Sequence, residues 1–187
     1  MAKYAMVIDL QRCIGCSACI IACKNENNIS KDIYWCDSQI KTKGSFPDVE
    51  YEYKPTMCNH CEDAPCINAC STEAMYRNQD TDIILCNHQE CIKCQKCVIA
   101  CPYDEITFNQ ASSTSEQGLI EKCTFCFHKG VKNLAPACVK KCPTNALIFG
   151  DLENEDSQVS KITKKYNYTV RKKELGTKPK VYYINSF

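Results

Sequence analysis

Closely spaced cysteines are the residues of this chain that could do chemistry. The chain has 18 cysteines among 187 residues, a share that indicates either a disulfide scaffold or a metal protein. Many are separated by only two residues, and such pairs direct two thiolates at one site more readily than they join distant segments. All but Cys36 and Cys86 fall into four groups of four. Group one is Cys13, Cys16, Cys19 and Cys23; group two is Cys58, Cys61, Cys66 and Cys70; group three is Cys91, Cys94, Cys97 and Cys101; group four is Cys123, Cys126, Cys138 and Cys142.

The four groups repeat in the order A-B-A-B. Groups one and three share the pattern C-x2-C-x2-C-x3-C and similar text, "CIGCSACIIAC" and "CIKCQKCVIAC". Groups two and four share a longer gap before the third cysteine and a proline shortly ahead of it. This order indicates a duplicated unit that holds two sites. The repeat alone leaves open which groups share a site, because pairing group one with group two satisfies it as well as other pairings do.

The spacing of the cysteines indicates iron–sulfur clusters. Group three and its following proline match the bacterial run C-x2-C-x2-C-x3-C-P, in which the fourth cysteine binds the other cluster of a pair. We therefore expect Cys23 to bind a different cluster from the other members of group one. The four groups together predict four [4Fe–4S] clusters. Zinc is the alternative, but four-cysteine zinc sites usually take two C-x-x-C pairs separated by a long spacer.

The remaining cysteines and the histidines fit the pattern less well. We expect Cys36 and Cys86 to be small buried apolar residues rather than ligands. The histidines His60, His88 and His128 stand near cysteines in sequence, and packing or support of a ligand is expected before ligation. His60, within "CNHC", is the candidate for adjusting a cluster's potential through a hydrogen bond.

Other classes of function are disfavoured by the sequence. The N-terminus lacks a basic region followed by a long apolar core, so we expect no secretory signal, and a disulfide scaffold is correspondingly disfavoured. No apolar run has the roughly 18 residues of a membrane span. The net charge of +1 argues against nucleic acid as a main partner. With no catalytic triad, phosphate-binding glycine loop or nucleotide motif, we expect no catalytic residues here, and substrate chemistry on another chain.

The elements that must position the cysteines are predicted to be short. The stretch "AMYRNQDTDIILC" predicts a hairpin of two β-type runs, residues 74–77 and 83–86, around polar turn residues. Short helices are predicted at the C-x3-C ends, as in "CVIAC". With so few long apolar segments, a conventional hydrophobic core is not expected. The metal centres must then supply much of the folding free energy.

Several longer stretches carry a family resemblance. The segments "MVIDLQRCIGCSACIIACKNENN", "PTMCNHCEDAPC", "CPYDEITFN" and "EKCTFC" resemble the four-cluster electron-transfer subunits of molybdenum or tungsten bis-pterin oxidoreductases of the dimethyl sulfoxide reductase superfamily. The stretches "GSFPDVEYEYKPTMCNHC", "GDLENEDSQVSK" and "ELGTKPKVYYINSF" are similar to the small subunits of respiratory arsenate reductase. Polysulfide or thiosulfate reductases and pyrogallol–phloroglucinol transhydroxylase are close behind.

The resemblance implies an α+β fold of two ferredoxin-like dicluster units with short strands and helices. One unit comprises residues 1–30 and 111–150 and holds groups one and four. Residues 50–110 form the other, with groups two and three, and residues 151–187, the C-terminal segment, form a docking extension. In the family the groups exchange their last cysteines in a nested way. The implied ligand sets are the first (Cys13, Cys16, Cys19, Cys142), the second (Cys23, Cys123, Cys126, Cys138), the third (Cys58, Cys61, Cys66, Cys101) and the fourth (Cys70, Cys91, Cys94, Cys97).

The resemblance also implies a function. The chain is expected to relay electrons to or from a molybdenum or tungsten bis-pterin catalytic subunit, in a heterodimer or a multiple of one, in anaerobic respiration of arsenate, a sulfur oxyanion or polysulfide. A membrane anchor subunit or a soluble redox carrier is the expected second partner. A free-standing soluble polyferredoxin is the alternative. The expected location is the periplasm or the outer membrane face, reached with a signal-bearing partner, and the cytoplasm is the alternative.

The C-terminal segment contains no cysteine but several aromatic residues among many lysines. We predict that these aromatics anchor the chain to its catalytic partner, and that a chain ending at Asp151 still assembles all four clusters. The alternative is that the aromatics cover a cluster from water. The aromatic residues are Tyr166, Tyr168, Tyr182, Tyr183 and Phe187.

Overall fold

The computed structural model describes residues 1–110, 118–130 and 135–186. The predicted unit boundary at residue 111 and the predicted anchor Phe187 lie outside these ranges. The fold is α+β, as predicted, with short helices and small sheets. Its elements are β1 (Tyr4–Asp9), α1 (Ala18–Asn27), β2 (Cys36–Ser45), β3 (Asp48–Met57), α2 (Pro65–Asn68), β4 (Met75–Arg77), β5 (Ile84–Cys86), α3 (Lys96–Ala100), β6 (Thr107–Asn109), β7 (Leu119–Glu121), α4 (Ala137–Lys140), β8 (Leu147–Asp151), α5 (Gln158–Lys165), β9 (Tyr168–Thr169) and β10 (Val181–Ile184).

The largest sheet has four strands in the order β8-β1-β10-β9. Strand β1 pairs antiparallel with β8 on one side and parallel with β10 on the other. All six of its residues are buried, because neighbouring strands cover both edges and side chains pack on both faces. Met6 and Ile8 lie in one apolar cluster with Tyr183, while Val7 packs in another with Val159 of α5. A strand buried on both faces is expected to be apolar throughout rather than alternating.

This sheet corrects the expectation that the chain lacks a conventional core. Sixteen buried residues form one continuous apolar cluster around β1. The sequence patterns missed it because its core strands β1, β8 and β10 are short and come from distant parts of the chain, so no local pattern shows that they pair.

The C-terminal segment is part of this fold rather than an appendage. Strand β10 is an inner strand of the main sheet. Tyr183 is only 1% exposed, and its hydroxyl donates a hydrogen bond to the carbonyl of Pro55 at 2.9 Å. By contrast, Tyr166 and Tyr168 are exposed. The docking role stays a prediction, but the segment also completes the core.

Three two-stranded hairpins surround the main sheet. The predicted hairpin of residues 74–77 and 83–86 is confirmed as β4 and β5, paired antiparallel. Strands β6 and β7 form another. The longest, β2 with β3, was not predicted, because it is largely polar and its outer half is exposed. Gly44 near its tip has φ +86°, and a Cβ there would lie 2.1 Å from the carbonyl oxygen of Asp48, so only glycine fits this turn.

Short helices follow the cysteine loops, as predicted. Helix α3 covers four of the five residues of "CVIAC", and α1 begins at the equivalent place in group one. The longest helix, α1, has 10 residues. Across the described part of the chain, every helix is too short or too polar to cross a lipid bilayer.

Candidate metal centres

The duplication seen in the sequence is also present in the backbone. Ser17 and Gln95 follow the second cysteine of groups one and three, and both have φ 59° and ψ 8°. This left-handed residue reverses the chain, so that the next helix begins at once and carries the third cysteine, Cys19 or Cys97. The loop and the first turn of the helix thereby place three thiols around one space.

The first ligand set is brought together across the length of the chain. Burial raises the pKa of the Cys13 thiol, and the neighbouring thiols of Cys19, Cys142 and Cys16 raise it further. The Sγ of Cys142 accepts a hydrogen bond from the N–H of Ala146 at 3.2 Å. Three cysteines of group one therefore lie beside the last cysteine of group four.

The second ligand set shows the reverse exchange. Burial raises the pKa of the Cys23 thiol to about 12, with the nearby Cys126 thiol as the next cause. Burial also raises the pKa of Cys138, and Cys23 and Cys126 add to it. The pKa of Cys123 is raised by burial and then by Cys23 and Cys138. Cys23 therefore lies with the first three cysteines of group four.

The third ligand set joins groups two and three. Burial raises the pKa of Cys61 to about 11, and Cys58 and Cys101 contribute to the rise. Burial likewise raises the pKa of Cys66 to about 12, and the other three thiols of the set add to this rise. The last cysteine of group three thus lies among the first three of group two.

The fourth ligand set, like the first, is partly open to solvent. Burial raises the pKa of Cys97 to about 11, followed by the effects of Cys91 and Cys70. Cys94 is exposed, as is its counterpart Cys16 in the first set. The first and fourth sets therefore each have one cysteine at the protein surface.

Backbone N–H groups are directed at several of these sulfur atoms. The N–H of Met75 lies 3.4 Å from the Sγ of Cys70, and the N–H of Ala146 makes a similar contact of 3.2 Å with the equivalent Cys142. Burial acts to raise the pKa of Cys70, but this bond and bonds from the Thr72 side chain and backbone lower it below the ordinary thiol value. Amide donors of this kind stabilise anionic sulfur and influence the potential of iron–sulfur clusters.

The donor sets fit [4Fe–4S] clusters chemically. Each set offers four thiols, which are the ligands that such clusters take. Burial raises the pKa of several of these thiols, and because metal binds the thiolate form, loading of the sets releases protons. Across residues 1–110, 118–130 and 135–186, no three metal-binding side chains converge closely enough to share a single ion, and a cluster of several iron atoms spreads its ligands more widely than one ion does.

The two cysteines outside the groups lie beside the sets. A hydrogen bond with Cys36 lowers the pKa of Cys19 to about 7, and Cys36 is buried next to it. Burial raises the pKa of Cys86 to about 12, and Cys91 lies within reach. Sequence reasoning placed both outside the ligand pattern, but it could not show that they contact ligand residues.

The three histidines all have hydrogen-bond partners. The Nδ1 of His60 accepts a hydrogen bond from the N–H of Ile84 at 3.1 Å, and the ring is fully buried. His88 donates to the carbonyl of Ile120 at 2.9 Å. His128 pairs with a carboxylate oxygen of Glu26 at 3.0 Å.

Comparison with known families finds iron–sulfur proteins. Residues 49–152 match the model of the 4Fe-4S dicluster domain family, and residues 10–28 match that of the 4Fe-4S binding domain family. The chain is 40% identical to the iron–sulfur subunit of the arsenate respiratory reductase of Shewanella sp. strain ANA-3, over 99% of this chain and 97% of that protein. It is 35% identical to one of the chains of the polysulfide reductase of Wolinella succinogenes, over 97% of this chain and 94% of that one. It is also 35% identical to one of the subunits of the tetrathionate reductase of Salmonella typhimurium, over 97% and 72% of the two sequences.

Proposed function

Because this chain belongs to the 4Fe–4S dicluster family of reductase iron–sulfur subunits, which transfer electrons and do not catalyse by themselves, we propose that it carries four [4Fe–4S] clusters in one row. The ligands are the four sets of cysteines described above. Bound there, the clusters supply one-electron redox chemistry. The protein holds them, surrounds them with apolar side chains and directs N–H groups at their sulfur ligands.

The exchange of cysteines between groups is the observation that carries this proposal. Cys23 leaves the first set and joins the second, so α1 connects two centres directly. Groups two and three connect the third and fourth sets through Cys70 and Cys101 in the same way. The second and third sets also lie close, since the Cys58 thiol acts on the pKa of Cys123, after burial and nearer thiols. The row therefore runs from the first set to the fourth without a break.

The two ends of the row suit two redox partners. We propose that one partner is a molybdenum or tungsten bis-pterin catalytic subunit, and that the other is a membrane anchor subunit or a soluble redox carrier. Cys16 and Cys94 are exposed, which supports a centre near the surface, and electron exchange, at each end of the row. The proposed substrates of the complex are arsenate, a sulfur oxyanion or polysulfide, in line with the relatives. We propose that the complex works in the periplasm or at the outer membrane face.

The first experiment counts metal and sulfide. The chain is produced without oxygen in its native cells and purified by an affinity tag. Four clusters require about sixteen iron atoms and about sixteen acid-labile sulfides per chain. A count near twelve would leave one set unfilled, and about four zinc ions without sulfide would overturn the proposal.

The same preparation tests the partner. A large subunit that contains molybdenum or tungsten is expected to co-purify in a fixed ratio to the tagged chain. Recovery of a fully loaded chain without any such subunit would favour a free-standing electron carrier instead.

A further inference from the structure

Two related loops meet at the junction between the second and third ligand sets. His60 is the third residue of the loop from Cys58 to Cys61, and Phe125 is the third residue of the loop from Cys123 to Cys126. Both have left-handed backbones, with φ 45° and 50°. Their rings pack together with centroids 4.0 Å apart. The two halves of the duplicated chain therefore contact each other through equivalent residues.

A lysine lies at this junction in an unusual setting. Lys122 is only 3% exposed, although lysine is almost never buried unless it is paired. Its ammonium group donates hydrogen bonds to the carbonyl oxygens of Ile84 and, at 3.0 Å, of Cys123. Among the residues that the structure describes, no carboxylate lies within ion-pair distance of it. The positive charge thus has hydrogen bonds but no acidic side chain to balance it.

The neighbouring polar groups do not supply that balance. The Nδ1 of His60 accepts the N–H of Ile84, so the ring is neutral, with its remaining hydrogen on Nε2. Arg77 and Lys180 are the other cations near this histidine, and both pair with Asp82. Among these three cations, Lys122 therefore lacks a carboxylate partner in the part of the chain that the structure describes. Its charge has to be balanced by another anionic group.

The third ligand set is a candidate for the counter-charge. The thiols of Cys58 and Cys66 both lie close enough for the charge of Lys122 to act on them. A [4Fe–4S] cluster with four thiolates is anionic, and reduction adds one more negative charge. A buried cation next to it favours the reduced form, because burial removes the solvent that would otherwise screen the interaction.

We propose that the positive charge of Lys122 raises the reduction potential of the cluster held by Cys58, Cys61, Cys66 and Cys101. This inference rests on the ligand sets of the proposed function. Lys122 is buried within the chain and acts only through the cluster beside it.

The test compares charge-removing and charge-keeping variants of the full chain, purified with any bound partner. Lys122→Gln removes the charge but keeps an N–H donor for Ile84, Lys122→Met removes both, and Lys122→Arg keeps the charge. Lys141→Met is the matched control, since Lys141 also precedes a ligand cysteine but is exposed. Cluster potentials are measured by redox titration followed by electron paramagnetic resonance, together with iron and sulfide content.

The neutral variants should lower the potential of one cluster. We expect the ratio of reduced to oxidised third cluster, at a fixed potential, to fall about tenfold, which is about 59 mV for a one-electron couple. Lys122→Arg should keep most of the original potential, and Lys141→Met should leave all four unchanged. Neutral variants with full iron and unchanged potentials would overturn the inference.

Failure of assembly is also decisive. Loss of iron in all three Lys122 variants would overturn the inference in favour of a purely structural lysine. Loss in the two neutral variants, with Lys122→Arg still loaded, would support a charge requirement. An unmodified chain with fewer than about sixteen iron atoms would instead count against the proposed function.

Discussion

Removal of the C-terminal segment tests whether it belongs to the fold or only to docking. A chain that ends at Asp151 lacks α5, β9 and β10. Strand β1 then loses its parallel partner and the helix that covers one of its faces. We expect this chain to fail in cluster assembly, which differs from the prediction made from the sequence alone.

The magnitude follows from the side chains that the truncation uncovers. The deleted residues no longer cost conformational entropy on folding. The loss of folding free energy therefore comes from the apolar side chains of β1 that become exposed. Val7 loses Val159 and Ile184, while Met6 and Ile8 lose Val181 and Tyr183. At about 1.5–3 kcal/mol for each fully buried side chain, exposing one completely and two in part costs about 3–6 kcal/mol. Domains have about 5–15 kcal/mol of total stability.

The assay measures iron, acid-labile sulfide and the thermal midpoint of the truncated chain beside the full one. Iron well below sixteen atoms per chain and a lower midpoint are expected. Tyr166→Ser is the control in the same segment, because Tyr166 is exposed and its loss should leave iron and midpoint unchanged. If the truncated chain held about sixteen iron atoms at an unchanged midpoint, the segment would be a removable extension and this reasoning would be wrong.

Two further pairs of substitutions test the site and the core. Cys23→Ser should disrupt the cluster of the second ligand set and leave the first intact, whereas Cys36→Ser should keep all the iron. Electron paramagnetic resonance measures which cluster is lost. If Cys23→Ser lost only the cluster of the first set, the exchange of cysteines would be contradicted. Asp82→Asn should destabilise the chain by about 3–5 kcal/mol, since it leaves the ammonium of Lys180 buried without its charged partner. The exposed Asp80→Asn should change stability by no more than about 0.5 kcal/mol, and a similar thermal midpoint for both variants would exclude a special role for the buried pair.

The ligand cysteines could be identified from their spacing, but their pairing could not. Each group shows three closely spaced cysteines and a fourth at the end of a helical turn, which is a local signal. Which distant group receives that fourth cysteine depends on how two loops meet in space. The repeat fits more than one answer, so the nested sets came only from the family resemblance.

The fold was predictable where its contacts are local. The β4–β5 hairpin and the helix in "CVIAC" were found because turn residues and apolar runs lie next to each other. The pairing of β1 with β10 leaves no local trace, since each strand is apolar whatever its neighbour. The burial of Lys122 was equally invisible, because a lysine before a cysteine is usually exposed and only the meeting of two loops encloses it.

The position of β10 in the main sheet has a consequence for biosynthesis. Asn185 donates a hydrogen bond to Asp9, which is 176 residues away in the chain. At about 5–20 residues per second of synthesis, the first strand waits roughly 9–35 s for its last neighbour to be made. For most of that time Cys13, Cys16 and Cys19 are already synthesised while Cys142 is not. Insertion of iron and sulfide at the first set must therefore wait until Cys142 has been made, or a cluster would form on an incomplete set.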